Sequence, residues 1–563
     1  MSALSLLPEM AQAGWHRLTT PVRIRVRRNW FYRQLLKGPL TDHIAFPPWD
    51  PLPRRLEDAD ALLRGRFRFH GGSIEVKQGM SVFDMSAPSR RWYEALHGFD
   101  WLPPLSSAGG EPARILATNL IAQWIARHGH YSEPAWAPQV MGRRLIHLFA
   151  HGRLAIANSD MLWRSKLFVS LRDQSHMLER IKDEAPDGLP RLEAAAALVL
   201  AGFCLESGPA RLTPALEHLE HEALRQILPD GGYAGRSPEA LLHAYRLLTM
   251  VLDTMAAAHQ EPPHALRNIH DRIAPMLRFF RHGDGGLALF NGGQECEQQM
   301  IADLLARDTV RGASFSHARY SGYQRLAAGK SLILMDCGKV PEGVFSDNAH
   351  AGFLSIEFSS GPHRILVNCG AGGPAHPAWN QPLRATAAHS TLVLADTSSA
   401  QILSPGLAHD LLGPRLMGGP TDHSSQRIES PRGVMVEGSH DSWAAQFGLR
   451  HVRQVTLSPD GGTLTGADRL IAVSNGTRSP LPFSVRFHIH PDVRVSRLEG
   501  GGIMLKLPNG EGWRFRAPGE TAIEESIYLG GANVRRGEQL VLNGIAVGDG
   551  PVEIAWTFER ISS

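Results

Sequence analysis

The 563-residue chain lacks the features that mark several common classes of protein. Its four cysteines form no CxxC pair, so we expect neither a zinc ribbon nor a dithiol redox site. No run of 18 apolar residues is present, and we expect no transmembrane helix. No GxSxG motif is present, which leaves a serine hydrolase without support. The cysteines, each in an apolar context typical of buried residues, are Cys204, Cys296, Cys337 and Cys369.

An excess of charge of either sign is also missing. Lys and Arg total 58 against 55 Asp and Glu, which gives a net charge of +3 and does not indicate a nucleic-acid partner. Lysine is scarce, because only 7 of the 58 basic residues are Lys and 51 are Arg. A GC-rich genome explains most of this bias, and recognition of carboxylates or sulfates is the alternative. The glycine-rich segments at 283–286 and 500–502 do not connect a strand to a helix, so no nucleotide cofactor is expected.

The hydrophobic pattern divides the chain into three parts. With 43% hydrophobic residues, the chain can form a sizeable core, and its length suggests two or three domains. Residues 1–70 form an Arg- and Pro-rich lead-in. Residues 71–309 repeat apolar side chains with a helical period, which predicts helical hairpins in a ring or stack. Residues 310–563 alternate with a period of two between Gly, Asn and Pro turns, which is typical of an antiparallel β-sandwich.

The N-terminal region bears on location. It has no basic segment before its apolar residues, so by itself it indicates a cytoplasmic protein. Residues 22–34 carry a basic face, for which contact with anionic lipid and simple solvation are the two alternatives.

A dense group of polar residues lies at the ends of three predicted strands. Asn348 and His350 precede one strand. Asn368 ends a second strand and His389 precedes a third. The ends of neighbouring antiparallel strands converge, so these side chains are expected to form one site. Two histidines with an oxygen ligand suit zinc, with His350, Asn368 and His389 as ligands, whereas capping of backbone carbonyls is the alternative.

The same region contains the motifs HAGFLSIE, LVNCG and RATAAHSTLV at residues 350–357, 366–370 and 384–393, with Trp379 between the last two. In this order they resemble the heparinase II/III family of polysaccharide lyases. The resemblance implies an (α/α) toroid followed by an antiparallel β-sandwich, in agreement with the hydrophobic pattern. It also implies a location in the cell envelope or periplasm, which conflicts with the N-terminal region.

The resemblance further implies a chemistry and a partner. An acidic polysaccharide or oligosaccharide containing uronate is cleaved by β-elimination. A base removes the C5 proton, a neighbouring group neutralises the carboxylate, and an acid protonates O4. In the family a toroid Tyr is the acid and base, and some members hold a structural zinc, for which His350, Asn368 and His389 stand at the matching positions.

Several of the family's functional positions carry other residues here. Two interpretations follow: a lyase site rebuilt from neighbouring residues, or a fold kept for glycan binding or envelope assembly without catalysis. A glycoside hydrolase is a third, with Glu239 and Glu193 as its two carboxylates. The replaced positions are Asn368 for the ligand Asp, Asn348 for an assisting His, Ala240 for the catalytic Tyr, and Gly188-Leu189-Pro190 for a Gly-Asn-His motif.

For a rebuilt lyase site we predict Tyr245, His243 and Arg236 on the toroid, facing Asn348 and His350. Tyr245 follows Ala240 by one helical turn and one residue, which places it near the same helix face. Arg236 is predicted to pair with the uronate carboxylate through its planar fork. Further candidates on the toroid are Tyr233, Glu193 and Arg191.

Aromatic residues are concentrated at 92–105 and 134–138. Aromatic rings stack on the apolar faces of sugars, so a glycan groove is one interpretation. Packing at the ends of helices is the other.

Overall fold

The structure is a computed structural model that describes residues 6–53, 55–77, 79–157, 159–205, 209–308, 315–473, 479–547 and 550–561. It contains two compact units. The first, here called the helical unit, holds the described parts of residues 8–226 and 243–271. The second, the sandwich unit, holds the described parts of residues 1–7, 227–242 and 272–563.

This division differs in part from the predicted domains. The predicted boundary between residues 309 and 310 lies outside the described residues. Residues 272–308 group with the strands although they were expected in the helical domain, and so does the segment 227–242. The hydrophobic period identifies the type of an element, whereas domain membership depends on the elements against which it packs.

Helices make up most of the chain before residue 306, as their period predicts. No helix in the described ranges is long and apolar enough to cross a bilayer. The helices are α1 Leu7–Arg27, α2 Trp30–Gln34, α3 Leu56–Leu63, α4 Arg90–His97, α5 Leu102–Ala108, α6 Gly110–His128, α7 Pro138–His151, α8 Arg153–Ile156, α9 Met161–Ile181, α10 Leu189–Cys204, α11 Pro209–Gln226, α12 Pro238–Ala257, α13 His264–Phe280, α14 Gln298–Ala306, α15 Leu407–Leu412 and α16 Ala444–Phe447.

Local sequence explains how the helices of the helical unit begin and pack. Asp160 caps α9, where its Oδ1 accepts a hydrogen bond of 2.7 Å from the backbone nitrogen of Trp163. Helix α10 is rich in alanine and packs against α7 and α11. A Cβ atom at Gly142 of α7 would lie 3.0 Å from Cα of Ala194 in α10, so glycine permits this close approach of the two helices.

Two antiparallel sheets form the sandwich unit. One has the order β11-β12-β13-β14-β21-β18-β17-β16, and the other has the order β19-β20-β15-β7-β6-β5-β4-β3, with β8 beside β15. The strands are β1 Arg66–Phe69, β2 Gly72–Glu75, β3 His317–Ala318, β4 Tyr323–Ala328, β5 Ser331–Asp336, β6 Ile356–Ser360, β7 His363–Val367, β8 Leu392–Leu394, β9 Gln401–Ile402, β10 Leu416–Met417, β11 His423–Ser430, β12 Gly433–His440, β13 Leu449–Leu457, β14 Thr463–Ala472, β15 Leu481–Ile489, β16 Arg494–Arg497, β17 Ile503–Lys506, β18 Gly512–Arg516, β19 Thr521–Tyr528, β20 Arg535–Ala546 and β21 Val552–Ile561.

The two sheets share one apolar core. Phe358 on β6 meets Trp513 on β18 edge to face, with ring centroids 4.9 Å apart. Phe487 on β15 contacts Phe558 on β21 in the same manner at 5.5 Å. These inward side chains alternate with outward polar ones along the strands, so the predicted helical region followed by an antiparallel sandwich is confirmed.

Candidate functional site

The helical unit contains a cavity of about 480 Å³, here called the arginine cavity. Its wall is built from the segment before α3, from α3, from the β1–β2 hairpin and from α5, α7, α10 and α12. The polar and charged residues that line it are Arg55, Asp58, Arg66, Arg68, His70, Asp100, Arg143, His147, Glu193, His243 and Arg246.

Positive charge predominates in this lining. Five arginines face three carboxylates, and the three histidines add no further positive charge because burial lowers their pKa values. The pKa of His243 is lowered to about 4 by burial and the nearby arginines. Burial likewise lowers the pKa of His147 to about 3, and its Nδ1 donates to the carbonyl of Gly98 at 2.9 Å. The cavity therefore holds neutral imidazoles and an excess of guanidinium groups at neutral pH.

Arg143 on α7 lies between two carboxylates of the cavity. Its Nη2 is 3.4 Å from Oε2 of Glu193 on α10, and its Nη1 is 3.7 Å from Oδ2 of Asp100. Burial raises the pKa of Asp100 to about 6, an effect that Arg143 opposes and Glu193 reinforces. The net charge of the cavity consequently changes between pH 5 and pH 7.

A buried ion pair supports Arg246 on α12. Its Nε and Nη2 donate to the two oxygens of Asp50 at 2.7 and 2.6 Å, and the Asp50 side chain is fully buried. His151 adds a contact of 3.3 Å to the same carboxylate. Although burial raises the pKa of Asp50, Arg246 and His151 hold it below its ordinary value. This pairing fixes the position of one guanidinium group of the cavity.

Of the predicted catalytic residues, His243 lines the arginine cavity. The further candidate Glu193 lines it as well. Tyr245 does not line it: the side chain is fully buried, and its ring stacks on His270 with centroids 4.7 Å apart. The spacing rule placed Tyr245 near the face of Ala240, but residues five apart on a helix point about 140° away from each other. Among the described residues that line the cavity there is no tyrosine.

Arg236 has an internal role that replaces the predicted contact with a uronate. It lies in the sandwich unit with a φ of 60°, and its guanidinium group is buried. Nε donates to the carbonyl of Ser321 at 2.8 Å, Nη1 donates to the carbonyl of Lys339, and Nη2 pairs with Asp336. These bonds join a loop to the sheet. They also engage all three guanidinium nitrogens of Arg236 within the protein.

The strand-end histidines come together as predicted. Nδ1 of His350 lies 3.1 Å from Nε2 of His389, while Nδ1 of His389 donates to the carbonyl of Ala385 at 2.9 Å. Burial lowers the pKa of both imidazoles. Asn348, two residues before His350, is exposed. The pair is thus a buried neutral contact at the end of the strands.

The third predicted ligand is engaged elsewhere. Oδ1 of Asn368 accepts from the backbone nitrogen of Ser390 at 3.1 Å, and its amide donates to Glu357 at 3.1 Å. Glu357 also contacts His282 and the backbone nitrogen of Leu289. Within the described ranges, no group of three or more His, Cys, Asp or Glu side chains is arranged to hold a metal. The residues supply two imidazoles but no free anionic ligand, so zinc stays a prediction.

The remaining candidates are held by local contacts. Glu239 accepts from the backbone nitrogen of Gln294 at 3.1 Å, and burial raises its pKa to about 7. Tyr233 packs edge to face on Phe345 at 5.9 Å. Arg191 donates to the carbonyl of Ala185 at 2.7 Å. None of these three lines the arginine cavity as the structure describes it.

Sequence reasoning missed most of the cavity. Arg143 and His147 are four apart on α7, and His243 and Arg246 are three apart on α12. Charged or polar pairs with this spacing on otherwise apolar helices form a polar stripe that faces a cavity or another polar group. These pairs are visible in the sequence, and they could have indicated the cavity.

Comparison with known proteins agrees with this architecture. A family model described as "Heparinase II/III-like, C-terminal" matches residues 310–557. The curated protein "FtsZ-localized protein C" of Caulobacter vibrioides (strain NA1000 / CB15N) is 32% identical over 561 residues, which covers 97% of this chain and 96% of that protein.

Two solved structures share the fold at 14% identity. The structure titled "Crystal Structure of Heparinase III" has a TM-score of 0.68 and covers 99% of this chain and 92% of its own. A mutant of heparan sulfate lyase HepC from Pedobacter heparinus has a TM-score of 0.63, with 99% and 88% covered. Their likeness extends over the helices as well as the sandwich, and on the strength of the family model and of the full-length relative the chain belongs to the heparinase II/III family.

Proposed function

We propose that the chain binds an acidic saccharide in the arginine cavity. The observation that carries this proposal is the concentration of arginine in the lining: Arg246 is paired with Asp50, and the four other arginines face three carboxylates. Guanidinium groups bind carboxylates and sulfates through paired hydrogen bonds. The volume of about 480 Å³ lies within the range of roughly 300–1,000 Å³ that is usual for small-ligand sites. A saccharide is favoured over other anions because solved structures with this fold include a heparan sulfate lyase.

Binding without cleavage is the form of this function that we favour. Of the predicted catalytic residues, Tyr245 is buried and Arg236 is paired with Asp336. Elimination requires a base for the C5 proton and an acid for O4. Burial lowers the pKa values of His243 and His147 to about 4 and about 3, away from the neutral range that such roles need, whereas it raises the pKa of Asp100 to about 6. The binding experiment described next therefore also measures cleavage.

Arg68→Ala is expected to weaken binding of a uronate-containing oligosaccharide about fivefold, since an exposed ion pair contributes up to about 1 kcal/mol. Arg68 is exposed at the cavity wall, so its removal leaves no buried group without a partner. The measurement is isothermal titration calorimetry of the full chain with the uronate-containing oligosaccharide and with a neutral one of equal length.

Arg64→Ala is the matched control, because Arg64 is an exposed arginine in the same segment that does not line the cavity. Equal affinity for the neutral and acidic oligosaccharides would contradict the proposal. The absorbance of an unsaturated uronate is followed in the same samples. A rise in that absorbance with the parent protein would show that the chain is a lyase and not only a binding protein.

We also propose that the chain is located with FtsZ in the cell. The support is the relative named "FtsZ-localized protein C", which is similar over almost the whole chain. A fluorescent fusion of the full chain is expected to coincide with labelled FtsZ in the host cell and to disperse when FtsZ is depleted. A fusion that stays dispersed while FtsZ is assembled would rule this location out, whatever the outcome of the saccharide titration.

A further inference from the structure

Helix α1 is amphipathic, but its apolar side faces outward. Its exposed apolar residues recur at intervals of three or four: Leu7, Ala11, Trp15, Leu18, Val22 and Val26. The largest of them are well exposed, with 71% of Trp15 and 76% of Leu18 accessible. A surface helix ordinarily turns such a stripe toward the core, so the orientation of α1 is the reverse of the usual one.

The inward side of α1 makes polar contacts beside the half-buried Met10, Ala13 and Ile24. Nη1 of Arg27 donates to Oε2 of Glu184 at 2.9 Å and to the hydroxyl of Tyr131 at 3.1 Å. Nη1 of Arg23 lies 3.4 Å from Oε1 of the same Glu184. The contacts of Arg23 and Arg27 with Glu184 and Tyr131 hold the helix against the helical unit. They also fix the apolar stripe in its outward orientation.

The apolar surface continues into α2 and is flanked by cations. Trp30 and Phe31 are 60% and 72% exposed, and their rings meet edge to face at 5.0 Å. Arg17 and Arg25 lie exposed beside the stripe. In its 21 residues α1 contains four arginines and a single acidic residue, Glu9. Trp and Phe on one side with arginine beside them are typical of helices that lie in the surface of a membrane.

We infer that residues 7–31 lie on the surface of an anionic lipid bilayer, with the apolar stripe inserted among the acyl chains. The apolar residues form a stripe along one side of the helix, so α1 lies parallel to the surface. The flanking arginines complement the negative potential of anionic headgroups. A bilayer is favoured over a protein partner because the exposed stripe is long and the exposed charges beside it, Arg17 and Arg25, are both positive.

The test is flotation of the purified full chain with vesicles of phosphatidylcholine alone or with added phosphatidylglycerol. The parent is expected to float with the anionic vesicles and to be released as salt is raised. Leu18→Glu combined with Val22→Glu is expected to weaken binding at least about tenfold, since each apolar side chain loses its burial in lipid. Met161→Glu combined with Leu162→Glu is the matched control, because these two residues are also exposed and apolar but lie outside α1.

Arg17→Gln combined with Arg25→Gln separates the two contributions. It is expected to lower binding to the anionic vesicles and to leave binding to the neutral ones unchanged. Light scattering of the parent and of the Leu18/Val22 variant tests a second copy of the chain as the occupant. A parent that does not float but forms a dimer, which the two glutamates dissociate, would overturn the inference. So would equal flotation of the parent and the Leu18/Val22 variant.

Discussion

Replacing Asp468 with Asn is expected to lower the free energy of unfolding of the sandwich unit by about 3–5 kcal/mol, because a buried guanidinium would lose its counter-charge. Asp468 accepts hydrogen bonds from Nε and Nη2 of Arg453 at 2.8 and 3.0 Å and from Nε1 of Trp556 at 2.9 Å. Nε2 of His451 lies 2.7 Å from the same carboxylate. The side chains of Asp468, Arg453 and His451 are all fully buried.

Urea unfolding of the full chain, followed by circular dichroism, measures this effect. Glu499→Gln is the control, because Glu499 is an exposed carboxylate in the same unit and its change should leave the midpoint almost unaltered. Although burial raises the pKa of Asp468, Arg453 and His451 hold it well below its ordinary value. Its stabilisation is therefore present above about pH 4 and is lost as the pH falls further. An Asp468→Asn variant as stable as the parent would show that the core tolerates Arg453 without its partner.

Affinity for the acidic saccharide is expected to rise about 10- to 100-fold between about pH 8 and about pH 5, since two like charges near 4 Å interact by up to about 4 kcal/mol. The pKa of Asp100 is raised to about 6 by burial, so its carboxylate becomes neutral in this interval. The groups that face it are Arg143, His147, Glu193 and Arg246. His147 and His243 stay neutral, because burial lowers their pKa values to about 3 and about 4.

Asp100→Asn is expected to bind at about pH 8 as tightly as the parent binds at about pH 5, and its affinity should vary little with pH. Calorimetry of both proteins across the interval checks this. Uronate carboxylates have pKa values near those of other carboxyl groups and remain mostly charged at pH 5. If the affinity of the Asn variant depends on pH in the same way as that of the parent, another titratable group is responsible for the dependence. Since folding raises the pKa of Asp100, this residue also makes the folded chain more stable as the pH falls through 6.

Much of the architecture followed from local patterns. The helical period before residue 306 and the alternation after residue 316 identified both element types and their order. The motifs around His350 and His389 identified the family, and the convergence of strand ends brought the two imidazoles within 3.1 Å. These inferences succeeded because period and motif are properties of short stretches of chain.

For the aromatic segments 92–105 and 134–138, local patterns could not distinguish a glycan groove from packing at the ends of helices. Packing proved correct for Trp92, Trp101 and Trp136, which are buried in the helical unit. The guanidinium of Arg144 lies 4.1 Å from the ring centroid of Trp124 and donates to the carbonyl of His97 at 2.6 Å. A tryptophan that stacks on a sugar and one that stacks on a buried arginine have the same local pattern, so only the packing of helices distinguishes them.

The sequence by itself determined the succession of helices and strands, the family and the meeting of the two strand-end histidines. Tertiary structure alone decided that Asp100, Arg143, Glu193 and His243 share one cavity, that Tyr245 and Arg236 are internal, and that the apolar side of α1 faces outward. The cavity residues come from different helices, and the amphipathic pattern of a helix specifies a stripe but not its partner. Which stripes meet depends on the packing of the whole unit, and that packing is not a property of any single segment.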